Sequence, residues 1–350
     1  MVHTRNPRLK DVAQEAGISI ATASRAMSGS PGVSAQLAQR VRQIAADLGY
    51  VANVHARSLA GSPSSVVGLV VHEIGDPYFS EIASGVLSVA STRGLTVQIC
   101  HSGRDPEAEL AQVRTLIANQ VGAIIVAGSG FVDPAKEAGV VQSLKRYQEG
   151  GGRVAVIGRH SLRADTVQPD NREGGTTIAE HLLGLGHRRI GVVSGSRQLT
   201  TVADRLVGID GALATAGLSL DATPLVEAPF TREGGKQAIT ELLTVAPDVT
   251  AVIGMNDDMA IGVLSVLRSR GVMVPEQISV TGFDDVAVAG DLAPGLTTIR
   301  LPMSEMGRQA LKLALAPPAT RRRSRRAAHE LVVRGSTAPP RADSVLRPPA

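Results

Sequence analysis

The sequence has 350 residues, enough for more than one domain and a sizeable core. Its single cysteine, Cys100, excludes an intramolecular disulfide and suits a reducing compartment. No run approaches the roughly 18 apolar residues of a membrane span, and the opening Met1–Pro7 has no apolar core of a secretory signal, so a soluble cytoplasmic protein is expected. The net charge of +4 is unevenly spread: residues 1–60 carry 7 Lys/Arg against 3 Asp/Glu, residues 321–350 carry 8 against 2, and residues 61–320 carry 21 against 27. A basic start on an acidic body suits a duplex-binding module joined to a domain that does not read DNA.

The first elements are helical. Lys10–Ala16 has helix composition, with Val12, Ala13 and Ala16 on one face. Gly17 breaks it, and Ser19 is a good N-cap for a second short helix, Ile20–Met27. Ala23 and Met27 of that helix can face the first one, which leaves Ala21, Thr22, Ser24, Arg25 and Ser28 for a partner. Ser34 caps a third helix with an apolar stripe of Leu37, Val41, Ile44, Ala45 and Leu48, ended by Gly49. Two short helices joined by a Gly turn, the second bearing small polar residues and Arg, is the helix-turn-helix plan. On pattern alone a plain three-helix module without nucleic acid fits as well.

Asn53–Ala60 is helix-compatible but too short to be stable in isolation, and Gly61–Ser65 is a flexible linker. From Val66 onward the pattern changes to buried-type strands alternating with helices: Val66–Val71, Thr96–Cys100, Ala123–Val126, Arg153–Ile157, Ile190–Val193, Ala251–Ile253 and Ile278–Thr281. Continuous apolar strands between helices argue a parallel sheet covered on both faces, and there are too many units for one small sheet. Arg321–Arg326, after a Pro-rich stretch, suggests an exposed disordered insert that adds nonspecific attraction to DNA or is merely solvated. The Pro-rich end from Ala338 is expected to be disordered and lacks the apolar heptads of a tetramerising tail.

Several words carry more than composition. In the head they are Asp11-Val12-Ala13, Ala16-Gly17, Thr22-Ala23-Ser24-Arg25, Val33-Ser34, Leu48-Gly49-Tyr50, Asn53 and Ala56-Arg57-Ser58-Leu59. In the body they are Asp76-Pro77-Tyr78-Phe79, Asp170-Asn171, the run Glu180–Ile190, Arg205-Leu206, Asn256–Ala260, Gly282–Asp285 and Thr297–Arg300. With these the chain resembles the lactose/galactose-repressor family of bacterial transcription regulators over nearly its whole length.

The resemblance implies an α/β fold class: an N-terminal all-α helix-turn-helix head (residues 1–52), a hinge helix and linker (53–65), and a two-lobed body like periplasmic binding proteins, with parallel sheets (66–340). On that plan lobe one is about 66–160 and 292–320, lobe two about 161–291 and 327–340, with three crossings between them and a disordered tail at 341–350. It implies DNA contacts at Ile20, Ala21, Thr22, Ser24, Arg25, Ser28, Tyr50, Asn53, Ala56 and Leu59. Leu59 would wedge into a minor-groove base step, although the residues alone allow it simply to pack on the body. Ile20 and Ala21 stand at the variable base-reading start of the second helix and offer only apolar contact, for instance to a thymine methyl.

The family places effector contacts at the positions of Tyr78, Phe79, Asp170, Arg205, Phe230, Asn256 and Asp284. The chemistry is coherent: Asp and Asn bond hydroxyls, Arg donates in a rigid fork, and aromatic faces cover apolar sugar faces. The chain has only three Tyr, four Phe and no Trp, so three of them at such positions is a signal. Phe79 also fits a helix core and Asp285 a cap. The implied partners are an operator duplex, a sugar or sugar derivative, and a second copy in a two-fold dimer. The alternative is a solute receptor without a transcriptional role. No nucleophile elbow, phosphate loop, metal spacing or cofactor motif is present, so neither an enzyme nor a cofactor is expected.

Overall fold

The computed structural model describes residues 7–28, 31–50, 64–317 and 319–341. Within the head, helices α1 (Leu9–Ala16), α2 (Ile20–Ser28) and α3 (Ala35–Asp47) follow the sequence expectation closely. The local chemistry accounts for each boundary. The Arg8 N–H donates to Asp11 Oδ2 at 2.7 Å, and Gly17 ends α1 in the left-handed region at φ 69°. Ser19 Oγ accepts the Thr22 N–H at 3.0 Å, and Ser34 Oγ accepts the Leu37 N–H at 3.3 Å. Val12, Ala16, Ala26, Val41 and Ala45 form the small core, with Met27, Leu37 and Tyr50 packed around it. Ala26 takes the buried place expected of Met27, which is only half buried.

The body contains two six-stranded sheets. The first is ordered β11 (Ser324–Ala327), β5 (Asp165–Pro169), β4 (Arg153–Ile157), β3 (Ala123–Ala127), β1 (Val66–Val71) and β2 (Thr96–His101). The second is ordered β12 (Glu330–Val332), β10 (Thr297–Arg300), β9 (Ser279–Asp284), β8 (Ala251–Gly254), β6 (Ile190–Ser194) and β7 (Leu225–Glu227). The registered pairs are parallel except β10 with β12. In each sheet the strand order reverses beside one strand, β1 in the first and β6 in the second. That reversal opens a crevice beyond the carboxyl ends.

The chain crosses between lobes three times, as expected, but the crossings fall elsewhere. β5 lies in the first sheet, not in a lobe beginning at 161, and β10 lies in the second sheet, not in a lobe-one segment beginning at 292. The crossings come directly after β5, after β10 and between β11 and β12. Strand type is written locally, but the choice of sheet is a hydrogen-bonding choice between distant strands: Thr297–Arg300 registers with Thr281–Asp284. The Arg321–Arg326 tract is also not a disordered insert. Ser324–Ala327 pairs in parallel with Thr166–Pro169, and Arg323 is tied to Asp165 through its backbone N–H at 2.7 Å and its Nε at 2.9 Å. An edge strand keeps its arginines in water while its backbone completes a ladder. Order continues past residue 337: the Ala338 N–H donates to Ser279 Oγ at 3.0 Å, and its carbonyl lies 2.9 Å from His187 Nε2. Residues 342–350 lie outside the described ones.

Helices pack against both sheets: Met303–Leu315 lies on β3, β4 and β5, and Asp257–Ser269 lies on β8 and β9. α7 (Asn171–Gly184) and α8 (Thr200–Thr215) lie close enough that a Cβ on Gly175 would stand 2.2 Å from the Arg205 carbonyl oxygen, and one on Gly208 1.9 Å from that of Arg172. Only glycine admits this approach, and it brings the Arg205 side chain to Asn171. Among the described residues no helix is long and apolar enough to cross a membrane.

Candidate functional site

The candidate reading face of the head lies on one helix. Ile20 is 55% exposed, and Ala21, Arg25 and Ser28 are exposed beside it, while Thr22 and Ser24 are half covered. Two of the polar groups are oriented by local bonds: Thr22 Oγ1 lies 2.8 Å from Ser19 Oγ, and Arg25 Nε donates to the Ala21 carbonyl at 3.4 Å. Tyr50 is half buried against the head core. Asn53, Ala56 and Leu59 lie outside the described residues.

The body carries a cleft between its lobes with about 420 Å³ of empty space, its open mouth included. Tyr78, Phe79, Arg205, Phe230, Asn256 and Asp284 all line it. Tyr78 and Phe79 open the helix that follows β1, Phe230 and Asn256 follow β7 and β8, Asp284 ends β9, and Arg205 comes from α8, so most stand at carboxyl ends of strands, where the sheet rule puts a ligand. Asp170 does not line it. Its carboxylate is held by Arg326 and lies 3.2 Å from His329 Nδ1, at the crossings between lobes.

One wall is aromatic. Tyr78 and Phe79 meet edge to face with centroids 5.0 Å apart, and His72 packs 5.6 Å from Phe79. From the other lobe comes Phe230, whose ring sits so close to Gly195 that a Cβ there would be 2.0 Å away. The Arg104 guanidinium stands over both rings, 5.0 Å from Phe230 and 5.8 Å from Phe79, and donates to Asp76 Oδ2 at 3.3 Å. Asp76 also caps the helix Pro77–Thr92 by accepting the Tyr78 N–H at 3.0 Å.

The floor is charged. Arg205, 3% exposed, donates to Asn171 Oδ1 at 2.9 Å, to the Met255 carbonyl, and to Asp284 Oδ1 at 3.1 Å, and its plane stacks 3.5 Å from the Phe283 centroid. Every arm of the fork is therefore fixed, and one carboxylate oxygen of Asp284 is left for a ligand. Asn256 caps the helix Asp257–Ser269 with its Oδ1, which leaves its amide donors free of that role. Asp284 and Asp285 both stand in the left-handed region, at φ 112° and 57°, a conformation costly for such residues. Asp257 holds the turn: Oδ2 accepts the Val286 N–H at 2.8 Å and Oδ1 accepts the Thr298 hydroxyl at 2.6 Å. Asp285 is an ion-pair node, with Arg300 and Arg334 each 2.7 Å away, rather than a helix cap.

Burial dominates the titration of these groups. It pushes Asp284 well above the ordinary carboxylate range, against the pull of Arg205. It pushes Asp257 up to about 7, against its two hydrogen bonds, and raises Asp76. It lowers His72, which faces Glu109 at 3.5 Å, and it lowers Arg104 despite Asp76.

The lobes are closed on one another along one side of the cleft. Phe131 and Leu199 form an antiparallel bridge, the Thr201 N–H donates to Ser129 Oγ at 2.9 Å, and Arg159 clasps Asp204 with bonds of 3.0 and 2.7 Å. His72, Arg104, Ser129 and Thr201 line the cleft and were missed by sequence reasoning. For the first three the signal existed, since each follows the carboxyl end of β1, β2 or β3. Thr201 carries no such mark.

Comparison with known proteins agrees with both parts. A model described as bacterial regulatory proteins, lacI family, matches residues 8–53, and one for a periplasmic binding protein-like domain matches residues 179–337. The HTH-type transcriptional regulator DegA of Bacillus subtilis (strain 168) is 31% identical over 335 residues, 94% of this chain and 97% of DegA. GalR of Escherichia coli (strain K12), also an HTH-type transcriptional regulator, is 34% identical over 310 residues, 88% of each chain. A solved structure of the transcriptional regulator CelR in complex with cellobiose superposes with a TM-score of 0.70 at 30% identity, covering 94% of this chain and 99% of that one.

Proposed function

The chain belongs to the lacI family of bacterial regulatory proteins and is a transcriptional regulator, and from that premise we propose a cytoplasmic repressor that binds a palindromic operator as a dimer and takes a neutral sugar in the inter-lobe cleft. The carrying observation is the convergence of Tyr78, Phe79, Arg205, Phe230, Asn256 and Asp284, scattered over two hundred residues of sequence, on one crevice. Aromatic faces for C–H surfaces and a fixed Arg–Asp floor for hydroxyls suit a polyol. Both arginines of the cleft already face a carboxylate, Arg104 with Asp76 and Arg205 with Asp284, so a charged substituent on the ligand gains no unspent cation. The cellobiose in CelR supports the same class.

Ile20, Ala21, Thr22, Ser24, Arg25 and Ser28 are the residues proposed to enter the major groove, with Tyr50 behind them and Asn53, Ala56 and Leu59 serving the minor groove. The effector acts by its differential affinity for two relative lobe positions, which alters how well the paired heads fit the two-fold site. No catalytic step or cofactor is assigned to the cleft. The test is selection of random duplex DNA by the purified full-length protein, repeated with a panel of neutral sugars, followed by calorimetry of the sugar that alters selection. A two-fold symmetric site whose affinity changes with one sugar is expected. Asymmetric or absent enrichment under every condition would overturn the reading.

A further inference from the structure

A second concavity of the body lies away from the cleft and is strongly basic. It is an open groove on the first lobe with about 1660 Å³ of empty space, the solvent at its mouth included, and its charged lining is Arg153, Arg163, Arg321, Arg322 and Arg323 against Asp165. Two of these cations are spent on the fold. Arg153 donates to the Leu315 carbonyl at 2.6 Å, and Arg323 pairs with Asp165. Arg163, Arg321 and Arg322 are exposed, and none has an acidic partner among the described residues. Three uncompensated guanidinium groups around one groove repel each other unless an anion lies among them.

The sheet register says where this groove faces. Val67 at the start of β1 is level with Ala123, and Ala123 with Arg153, the first residue of β4. Asp165 opens β5, and Ser324, next to Arg323, is level with Thr166. The groove therefore lies at the amino ends of the strands, opposite the cleft. It is also the end at which β1 begins, and the sequence leading into β1 is the linker from the DNA-reading helices. Neighbouring strands are about 4.8 Å apart, so β11 stands roughly 19 Å from β1 across the sheet.

We propose that this arginine groove is a second, sequence-independent contact surface for duplex DNA, taking phosphates that flank the operator; the proposal rests on the chain being an operator-binding regulator. Guanidinium forks bind phosphate oxygens bidentately, and contacts of this kind add affinity without base readout. The groove gives a use to Arg321 and Arg322, which stand unpaired among the described residues, beside a folded strand at the end of the sheet where β1 begins.

The test compares wild type with the combined variant Arg163→Gln, Arg321→Gln, Arg322→Gln on a long operator duplex and on one trimmed to the two half-sites. Affinity is measured over a salt series. On the long duplex the slope of log affinity against log salt should become shallower by about 0.9 for each phosphate contact removed. On the trimmed duplex the two proteins should agree, and the sugar response should be unchanged. An equal slope on the long duplex would overturn the proposal; if the variant nevertheless loses binding to polyglutamate, the groove belongs to an acidic polypeptide. Should the variant fail to fold, wild type alone decides, because equal slopes on long and trimmed duplexes are equally fatal. If random selection finds no operator, the same slopes on random-sequence DNA still read the groove, so its failure is separable from failure of the functional reading.

Discussion

The two lobes share one sheet plan and divide the work of the cleft unequally. Both place a sheet reversal at the crevice, and both add a strand after the last crossings, parallel in the first lobe (β11) and antiparallel in the second (β12). The first lobe supplies Tyr78, Phe79 and Arg104; the second supplies the Arg205–Asp284 pair, held by Asn171, Phe283 and the Asp257 turn. The second lobe is thus a rigid polar floor, and the first an aromatic cover joined to it through Phe230 and Ser129. A ligand needing both halves is one that can report lobe position.

The sharpest way to break this division is Asp284→Ala. It leaves the Arg205 guanidinium buried without its carboxylate, a loss of about 3–5 kcal/mol in a buried pair. Sugar response should vanish and the body should melt earlier, while operator binding without sugar persists; a normal sugar response would remove the floor from the site.

A pH titration separates the same floor from the cover. The Asp257 carboxyl moves from an ordinary 3.8 to about 7 in the fold, chiefly through burial. A raised carboxyl is protonated in the folded chain, so its stabilisation is complete below pH 3.8 and is lost as pH rises through about 7. That is worth at most about 4 kcal/mol across the window. Chemical denaturation of wild type and Asp257→Asn at several pH values should show the variant's stability falling less over that interval; identical slopes would mean that Asp257 is ionised in the fold.

Arg25→Ala is the control that touches neither lobe. Operator affinity should fall by about 1–3 kcal/mol with sugar affinity unchanged. Unchanged operator affinity would take Arg25 off the reading face. The smallest effect is expected from Gly195→Ala, whose Cβ would stand 2.0 Å from the Phe230 ring. The ring must shift, costing about 1 kcal/mol of aromatic contact with the ligand, roughly fivefold in calorimetry. Full sugar affinity would show that Phe230 does not cover the ligand.

Sequence alone determined the local structure. Gly17, Ser19 and Ser34 set the head helices because capping and left-handed turns are decided within a few residues. The apolar runs at Val66, Ala123, Ile190 and Ala251 marked buried strands because a strand covered on both faces must be apolar throughout. Tyr78, Asn256 and Asp284 were legible as cleft residues through their family words, and those words lie at strand ends. The tertiary structure decided what depends on distant pairing. Thr297–Arg300 joined the second sheet and Asp165–Pro169 the first because ladder partners, not propensity, choose the lobe. Asp170 left the cleft because Arg326 and His329, over 150 residues away, claim its carboxylate. Arg321–Arg326 reads as a solvated charge run until β5 offers its edge. Like-charged residues on an edge strand are stable only when the backbone ladder and Asp165 offset their repulsion, and no local pattern contains either partner.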